Sequence, residues 1–161
     1  MRSSTWFACM IRLSPRISFI SGRVHSGKTT RAASMINGKI AGGFLTPEVD
    51  GKKMLLDLVE DTYYNFEADA SDEKIVSVGK YFLDKNAFVR GGELLQRDLR
   101  NEVPIIFIDE IGKLELRNEG FHPHLEIFFD LLRNREQVEC VILVRDYLLT
   151  QVIDKYGLDK L

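Results

Sequence analysis

The chain has 161 residues, of which 45% are apolar and 29% are charged, a composition typical of a globular protein with one domain-sized core. Its formal net charge of −2 argues against strong electrostatic attraction to nucleic acid or to an anionic membrane, so neither partner is expected. No segment of the sequence has the length and hydrophobicity of a membrane span.

The N-terminal segment, residues 1–15, mixes apolar residues with Arg and Ser. Its apolar stretch is short and no convincing cleavage site follows, so we do not interpret it as a signal peptide. We expect a disordered tail, or residues upstream of a natural start at Met10, followed by a single domain over residues 16–161. Cys9 and Cys140 form no metal-binding, redox or disulfide pattern, which predicts a cytoplasmic protein.

A strand, a phosphate-binding loop and a helix are the first predicted elements. Residues 17–21 are an apolar, β-branched run, and residues 22–29 match the pattern G-x-x-x-x-G-K-[ST] at every fixed position. The two glycines let backbone N–H groups approach phosphate oxygens, Lys28 brings a positive charge to the β- and γ-phosphates, and the Thr29 hydroxyl can coordinate Mg²⁺. The predicted nucleotide-binding residues are Gly22, Arg23, Val24, His25, Ser26, Gly27, Lys28, Thr29 and Thr30.

The helix after the loop should end at Asn37-Gly38, and a group of short strands is predicted beyond it. Residues 41–49 are expected to form a strand that approaches the loop, followed by a turn. Residues 54–60 and 63–68 are predicted to form an antiparallel meander, and residues 75–78 a further strand.

Helices and buried strands alternate in the second half of the chain. Asp84 can cap a helix that contains Gly91-Gly92, a pair that indicates either close packing against the helix or a break in it. His122-Pro123-His124 offers too few ligands for a metal site, and we expect a solvated helix start there. Buried strands are predicted at residues 104–108 and 141–144, and helices at residues 125–132 and 148–156. The alternation predicts an α/β fold with three layers: a mainly parallel sheet with helices on both faces, and a small antiparallel meander.

The buried run at residues 105–108 resembles a Walker B strand because two carboxylates follow it. Ligands of open α/β sheets bind at the carboxyl ends of the strands, so Asp109 should lie beside the phosphate loop. Asp109 is predicted to hold Mg²⁺ together with Thr29, mostly through water. Glu110 can orient and deprotonate a water molecule near the γ-phosphate, which favours hydrolysis over transfer to an acceptor. Alternatively, Glu110 caps the next helix or pairs with a basic residue.

Residues 108–116, Ile-Asp-Glu-Ile-Gly-Lys-Leu-Glu-Leu, closely resemble the long Walker B signature of a small nucleoside-triphosphatase family. This is the family of the thermophile nucleotide phosphatases and the human cancer-related nucleoside-triphosphatase. Residues 43–49 resemble its second block, a Gly-Phe-x-Thr-x-Glu-Val pattern, and residues 78–81 resemble a third.

The resemblance implies a RecA-like phosphate-loop fold and slow, Mg²⁺-dependent hydrolysis of ATP, GTP and other nucleoside triphosphates to diphosphate and phosphate. It implies site roles for Lys28, Thr29, Asp109, Glu110 and Lys113. Thr46 and Glu48 match a family block, but the sequence does not reveal what they do, and Glu48 could equally cap or brace the loop.

Two features depart from the family pattern. Val24 and His25 replace a Pro and a Gly of the family loop, and a side chain at His25 is expected to alter the shape of the loop and its affinity. The match fades after Leu116. Arg145, at the end of a later buried strand, is a candidate catalytic residue that reaches the γ-phosphate, or else pairs with Asp146 or Asp109 in a structural role.

Three functions follow from these residues. The leading one is a nucleoside-triphosphatase in which Lys28, Glu110 and Arg145 are catalytic and Mg²⁺ is the cofactor. A small-molecule kinase needs an acceptor pocket and usually a mobile, Arg-rich lid; no such lid stands out, although residues 50–75 could contain a pocket. A nucleotide-dependent binding module with little turnover is the third. Base preference and oligomeric state are not encoded in any recognisable motif.

Overall fold

The computed structural model describes residues 8–161. The strands are β1 Cys9–Arg12, β2 Ile17–Gly22, β3 Gly42–Leu45, β4 Glu48–Val49, β5 Lys52–Asp57, β6 Thr62–Asn65, β7 Ile75–Val78, β8 Tyr81–Asp84, β9 Ile105–Ile111 and β10 Glu139–Arg145. The helices are α1 Lys28–Ile36, α2 Lys85–Arg100, α3 Lys113–Leu116, α4 His122–Leu132 and α5 Leu149–Tyr156.

A mixed sheet forms the centre of the protein. Its middle strands run parallel in the order β2, β10, β9, β3, so β10 lies between the strand that leads into the phosphate loop and the strand that ends in the two carboxylates. β1 pairs antiparallel with β2 at one edge, and β4, β5 and β6 form antiparallel pairs beyond β3. β7 and β8 form a separate antiparallel hairpin. The predicted α/β fold, with its mainly parallel sheet and small meander, is confirmed.

Consecutive residues of the central strands alternate between two hydrophobic cores, because neighbouring side chains of a strand point to opposite faces of the sheet. One core joins the sheet to α2, α4 and α5 and includes Phe19, Ile106 and Ile142. The other joins the sheet to α1 and includes Ile20, Phe107 and Leu143. Cys140 is buried in the first core, and burial raises the pKa of its thiol, as expected for a core residue.

The predicted disordered tail needs correction. Residues 1–7 lie outside the described part of the chain, but Cys9–Arg12 form β1, which pairs with Ser18–Ser21 of β2. The backbone of β2 has a free edge there, and pairing satisfies its hydrogen-bonding groups even though the β1 side chains are exposed. In the described residues, we find no helix of the length and hydrophobicity that crossing a membrane requires.

Helix α2 contains the glycine pair without a break, since close packing requires both residues. A Cβ atom on Gly91 would lie 2.5 Å from Cε1 of Phe121, and one on Gly92 would collide with the His124 ring. The helix begins where predicted, with the Asp84 carboxylate accepting a hydrogen bond from the backbone N–H of Asn86 at 2.8 Å. The expected solvated start of α4 is wrong for His122, which is buried with Nδ1 2.9 Å from the Tyr156 hydroxyl.

A buried ionic cluster fixes the position of β3. Asp98 of α2 accepts a hydrogen bond from the backbone N–H of Gly43 at 2.7 Å, and Arg97 bridges Asp98 to Asp57 of β5. Burial would raise the pKa of Asp57, but its hydrogen bonds with Arg97 and backbone N–H groups outweigh burial and lower it. The cluster therefore ties α2, β3 and β5 together just before the chain enters the site.

Candidate functional site

The phosphate loop leaves β2 at Gly22 and closes into α1 at Gly27, whose φ of 82° is in the left-handed region that glycine adopts freely. His25 also has a positive φ, 59°. The loop therefore holds at His25 a conformation suited to the glycine that the family pattern has there. The cost to a non-glycine residue is about 1–2 kcal/mol.

Lys28 is buried and folds back over its own loop. Its ammonium donates to the backbone carbonyls of Arg23 at 2.8 Å and Gly22 at 3.4 Å. Burial lowers the pKa of Lys28, while the nearby charges of Glu110 and Asp109 act in the opposite direction. The ammonium thus lies within the field of both carboxylates, as predicted for residues that surround one phosphate chain.

Asp109 is fully buried at the centre of the site. One carboxylate oxygen, Oδ2, accepts hydrogen bonds from the Thr29 hydroxyl at 2.9 Å and from the Thr46 backbone N–H at 2.8 Å. The other oxygen, Oδ1, finds no partner among the described residues. Burial, reinforced by the charge of Glu110, raises the pKa of Asp109 to about 6. Thr29 and Asp109, the two residues expected to hold Mg²⁺, are therefore in direct contact although 80 residues separate them in the chain.

A bulge in β9 contains the two carboxylate residues, Asp109 and Glu110. Ile108 pairs with Ile142 of β10 and Ile111 pairs with Val144, so β9 has one residue more than β10 between these pairs. Glu110 lies in this bulge with φ of 60°. In a regular strand, consecutive side chains such as those of Asp109 and Glu110 point to opposite faces of the sheet. A bulge changes the direction of a side chain and is common next to active sites.

Glu110 forms an ion pair with Lys53 of β5, with 2.6 Å between Oε2 and Nζ. Pairing with a basic residue was the alternative to a catalytic role for Glu110, and the structure contains such a pair. The Glu110 side chain remains 44% exposed, so the pair does not seal it from solvent. Lys53 was absent from the predicted site. The sequence feature that could have revealed it is its position in β5, where it lies on the same face as the buried Leu55 and Asp57 and alternates with exposed or half-buried residues.

The second and third family blocks meet beside this pair. Thr46 uses its backbone N–H for Asp109, and its buried hydroxyl has no partner among the described residues. Glu48 accepts a hydrogen bond from the Tyr81 hydroxyl at 2.7 Å, which lowers the pKa of Glu48 and raises that of Tyr81 to about 12. This hydrogen bond ties Glu48 to the β7–β8 hairpin.

The donor set of the site suits Mg²⁺. Asp109 Oδ1, Thr46 Oγ1 and Ser26 Oγ are buried oxygens without a partner in the described residues. No cluster of three or more His, Cys, Asp or Glu residues occurs in residues 8–161. Mg²⁺ is usually bound by one or two carboxylates together with substrate phosphates and not by a full protein cage. Asp109 and Thr29 fit that pattern.

Arg145 ends β10 in register with Gly22, and its charge is close enough to Lys28 to act on the pKa of that ammonium. Its guanidinium donates to the Tyr147 hydroxyl at 3.2 Å, and in the described residues it makes no ion pair with Asp109 or Asp146. Lys113 lies 5.8 Å from the centre of the Tyr147 ring. Arg145 thus lies at the loop without the structural ion pairs considered for it.

Comparisons with known proteins identify the family of this chain and a solved structure with a similar fold. A family model described as NTPase matches residues 17–156. The chain is 34% identical to the nucleoside-triphosphatases THEP1 of Methanocaldococcus jannaschii and of Thermotoga sp., over 64% and 69% of its own length and 65% and 66% of theirs. It thus spans slightly less than two thirds of the length of these relatives. The crystal structure of THEP1 from Aquifex aeolicus has a similar fold, with a TM-score of 0.65 and 24% identity over 86% of this chain and 81% of that one.

Proposed function

The chain belongs to this NTPase family, and on that premise we propose that it hydrolyses nucleoside triphosphates to nucleoside diphosphate and phosphate with Mg²⁺ as cofactor. The observation that carries the proposal is the meeting of Lys28, Thr29, Asp109 and Glu110 at the carboxyl ends of β2 and β9. These residue types supply phosphate binding, metal binding and a base within one site.

Phosphate binding in this proposal is the task of the loop and of Lys28. The backbone N–H groups of residues 22–29 and the positive end of α1 attract the β- and γ-phosphates. The Lys28 ammonium exchanges the carbonyls of Gly22 and Arg23 for phosphate oxygens, which carry more negative charge. Asp109 and Thr29 hold Mg²⁺, which when bound neutralises charge on the phosphate oxygens.

The chemical step in this proposal uses Glu110 as general base. Its carboxylate takes a proton from a water molecule while the water oxygen forms a bond to the γ-phosphorus. The bond between that phosphorus and the bridging oxygen breaks, and its electron pair leaves with the nucleoside diphosphate. Arg145 stabilises the charge that develops on the γ-phosphoryl group, a role supported by its position at the loop.

Phosphate release from a panel of nucleoside triphosphates tests this proposal, with wild type, Glu110→Gln and the control Glu93→Gln assayed side by side. Glu93 is exposed on α2, outside the site. We expect release by wild type and the control, and a loss of about 100-fold or more in Glu110→Gln with nucleotide binding retained.

Equal release by Glu110→Gln would refute the base assignment. Tight binding without release by wild type would instead indicate a nucleotide-dependent binding module. Consumption of ATP without free phosphate, only when an acceptor is added, would indicate a small-molecule kinase.

A further inference from the structure

Lys53 is a buried cation that phosphate binding and metal binding leave unused. It is only 9% exposed, and its ammonium lies 2.6 Å from Glu110 Oε2 and 5.2 Å from the centre of the Tyr81 ring. Burying an ammonium costs free energy, and an apolar residue of similar volume usually serves stability as well or better. Stability therefore does not explain a lysine here, and its contact with Glu110 calls for a functional reason.

Both the N–H and the carbonyl of Lys53 are hydrogen-bonded to residues 66–67. Its N–H donates to the Glu67 carboxylate at 2.9 Å, and its carbonyl accepts from the N–H groups of Phe66 and Glu67. In register across the β4–β5 hairpin lies Glu48, which holds the Tyr81 ring over the Lys53 ammonium. The backbone hydrogen bonds and the Tyr81 ring thus restrict the position of the Lys53 ammonium independently of Glu110.

Glu110 needs such a support. It lies in a β-bulge with a positive φ, and its side chain is 44% exposed, so its own strand packing does not fix the carboxylate. The ion pair occupies Oε2 and leaves Oε1 to accept a proton. A base held in one orientation gains the advantage of a pre-positioned reactant.

We propose that Lys53 is a positioning residue that holds the Glu110 carboxylate for abstraction of the proton from the attacking water. This inference rests on the proposed function, because it gives Lys53 a role only through Glu110. It assigns to β5, at the antiparallel side of the sheet, a part in the chemistry of the parallel strands.

The test compares steady-state hydrolysis by wild type, Lys53→Met, Lys53→Arg and the control Lys52→Met, with folding of each variant checked by urea denaturation. Lys52 is exposed and adjacent on β5. We expect Lys53→Met to lower kcat by about 10- to 100-fold with KM and nucleotide Kd within about twofold of wild type. Lys53→Arg should recover most of kcat, and Lys52→Met should match wild type.

A second comparison asks whether Lys53 acts through Glu110. In a Glu110→Gln background, adding Lys53→Met should change the residual single-turnover rate by less than about twofold, because the base to be positioned is gone. The positioning role of Lys53 would be overturned if Lys53→Met lowered the rate in the Glu110→Gln background as much as in wild type, or if Lys53→Met alone left kcat unchanged. Either result would leave the proposed function standing. Absence of hydrolysis by wild type would instead overturn the proposed function and this inference with it.

Discussion

Replacing Arg97 with Met should destabilise the protein strongly, although Arg97 lies outside the site. Its guanidinium makes two hydrogen bonds of 2.8 Å to Asp57 and one of 2.7 Å to Asp98. Both carboxylate side chains are only 1% exposed, whereas the Arg97 side chain is 32% exposed. Removing one partner of a buried ion pair costs about 3–5 kcal/mol, and partial access of water places this case at about 3 kcal/mol.

Urea denaturation of wild type, Arg97→Met and Arg100→Met measures this cost. Arg100 is exposed in the last turn of the same helix, so its replacement should cost less than about 1 kcal/mol. For a chain of this size, 3 kcal/mol corresponds to a fall of about 6–12 °C in Tm. A loss below about 1 kcal/mol in Arg97→Met would refute the reasoning, since it would mean that Asp57 and Asp98 do not need their cation.

Three further predictions concern other positions. The free energy of unfolding of His25→Val should be about 1–2 kcal/mol lower than that of His25→Gly, because a β-branched side chain fits φ of 59° poorly. Equal stabilities in urea would contradict this. Gly91→Ala gains about 1 kcal/mol of helix propensity but places a Cβ 2.5 Å from Phe121. Such overpacking costs about 1–3 kcal/mol, so a net loss in thermal denaturation is expected and a stabilised variant would argue against it. Burial raises the pKa of Glu115 to about 7 from 4.5. Between these pH values the unfolded chain loses this proton while the folded protein keeps it, so the free energy of unfolding falls by about 3 kcal/mol as pH rises from 4.5 to 7. Glu115→Gln should abolish that part of the pH dependence in urea titrations, and an unchanged slope would exclude Glu115 as its source.

The sequence predicted the parts of the site that depend on local pattern. The loop at residues 22–29 and the carboxylates after residues 105–108 are motifs of contiguous residues, and the resemblance that they support is confirmed by the family match. The alternation of strands and helices also predicted a mainly parallel sheet with helices on both faces. The strand β1 was missed because its exposed, mixed residues carry no periodic signal, and only a partner edge on β2 makes it a strand.

The catalytic roles assigned to Lys28, Glu110 and Arg145 remain predictions. The reason lies in what motifs leave out: they name residue types, whereas orientation depends on neighbours distant in sequence. Thr46 reaches Asp109 across 63 residues through its backbone, a contact that no side-chain pattern can reveal.

Sequence alone determined that this chain has a phosphate loop, a carboxylate strand and an α/β sheet to bring them together, because each is written in adjacent residues or in a simple period. Tertiary structure decided how Glu110 is aimed and what holds it. The bulge at Glu110 arises from the register between β9 and β10, and the ion pair with Lys53 arises from the antiparallel strands beyond β3. Both depend on long-range packing, which the one-dimensional pattern does not contain.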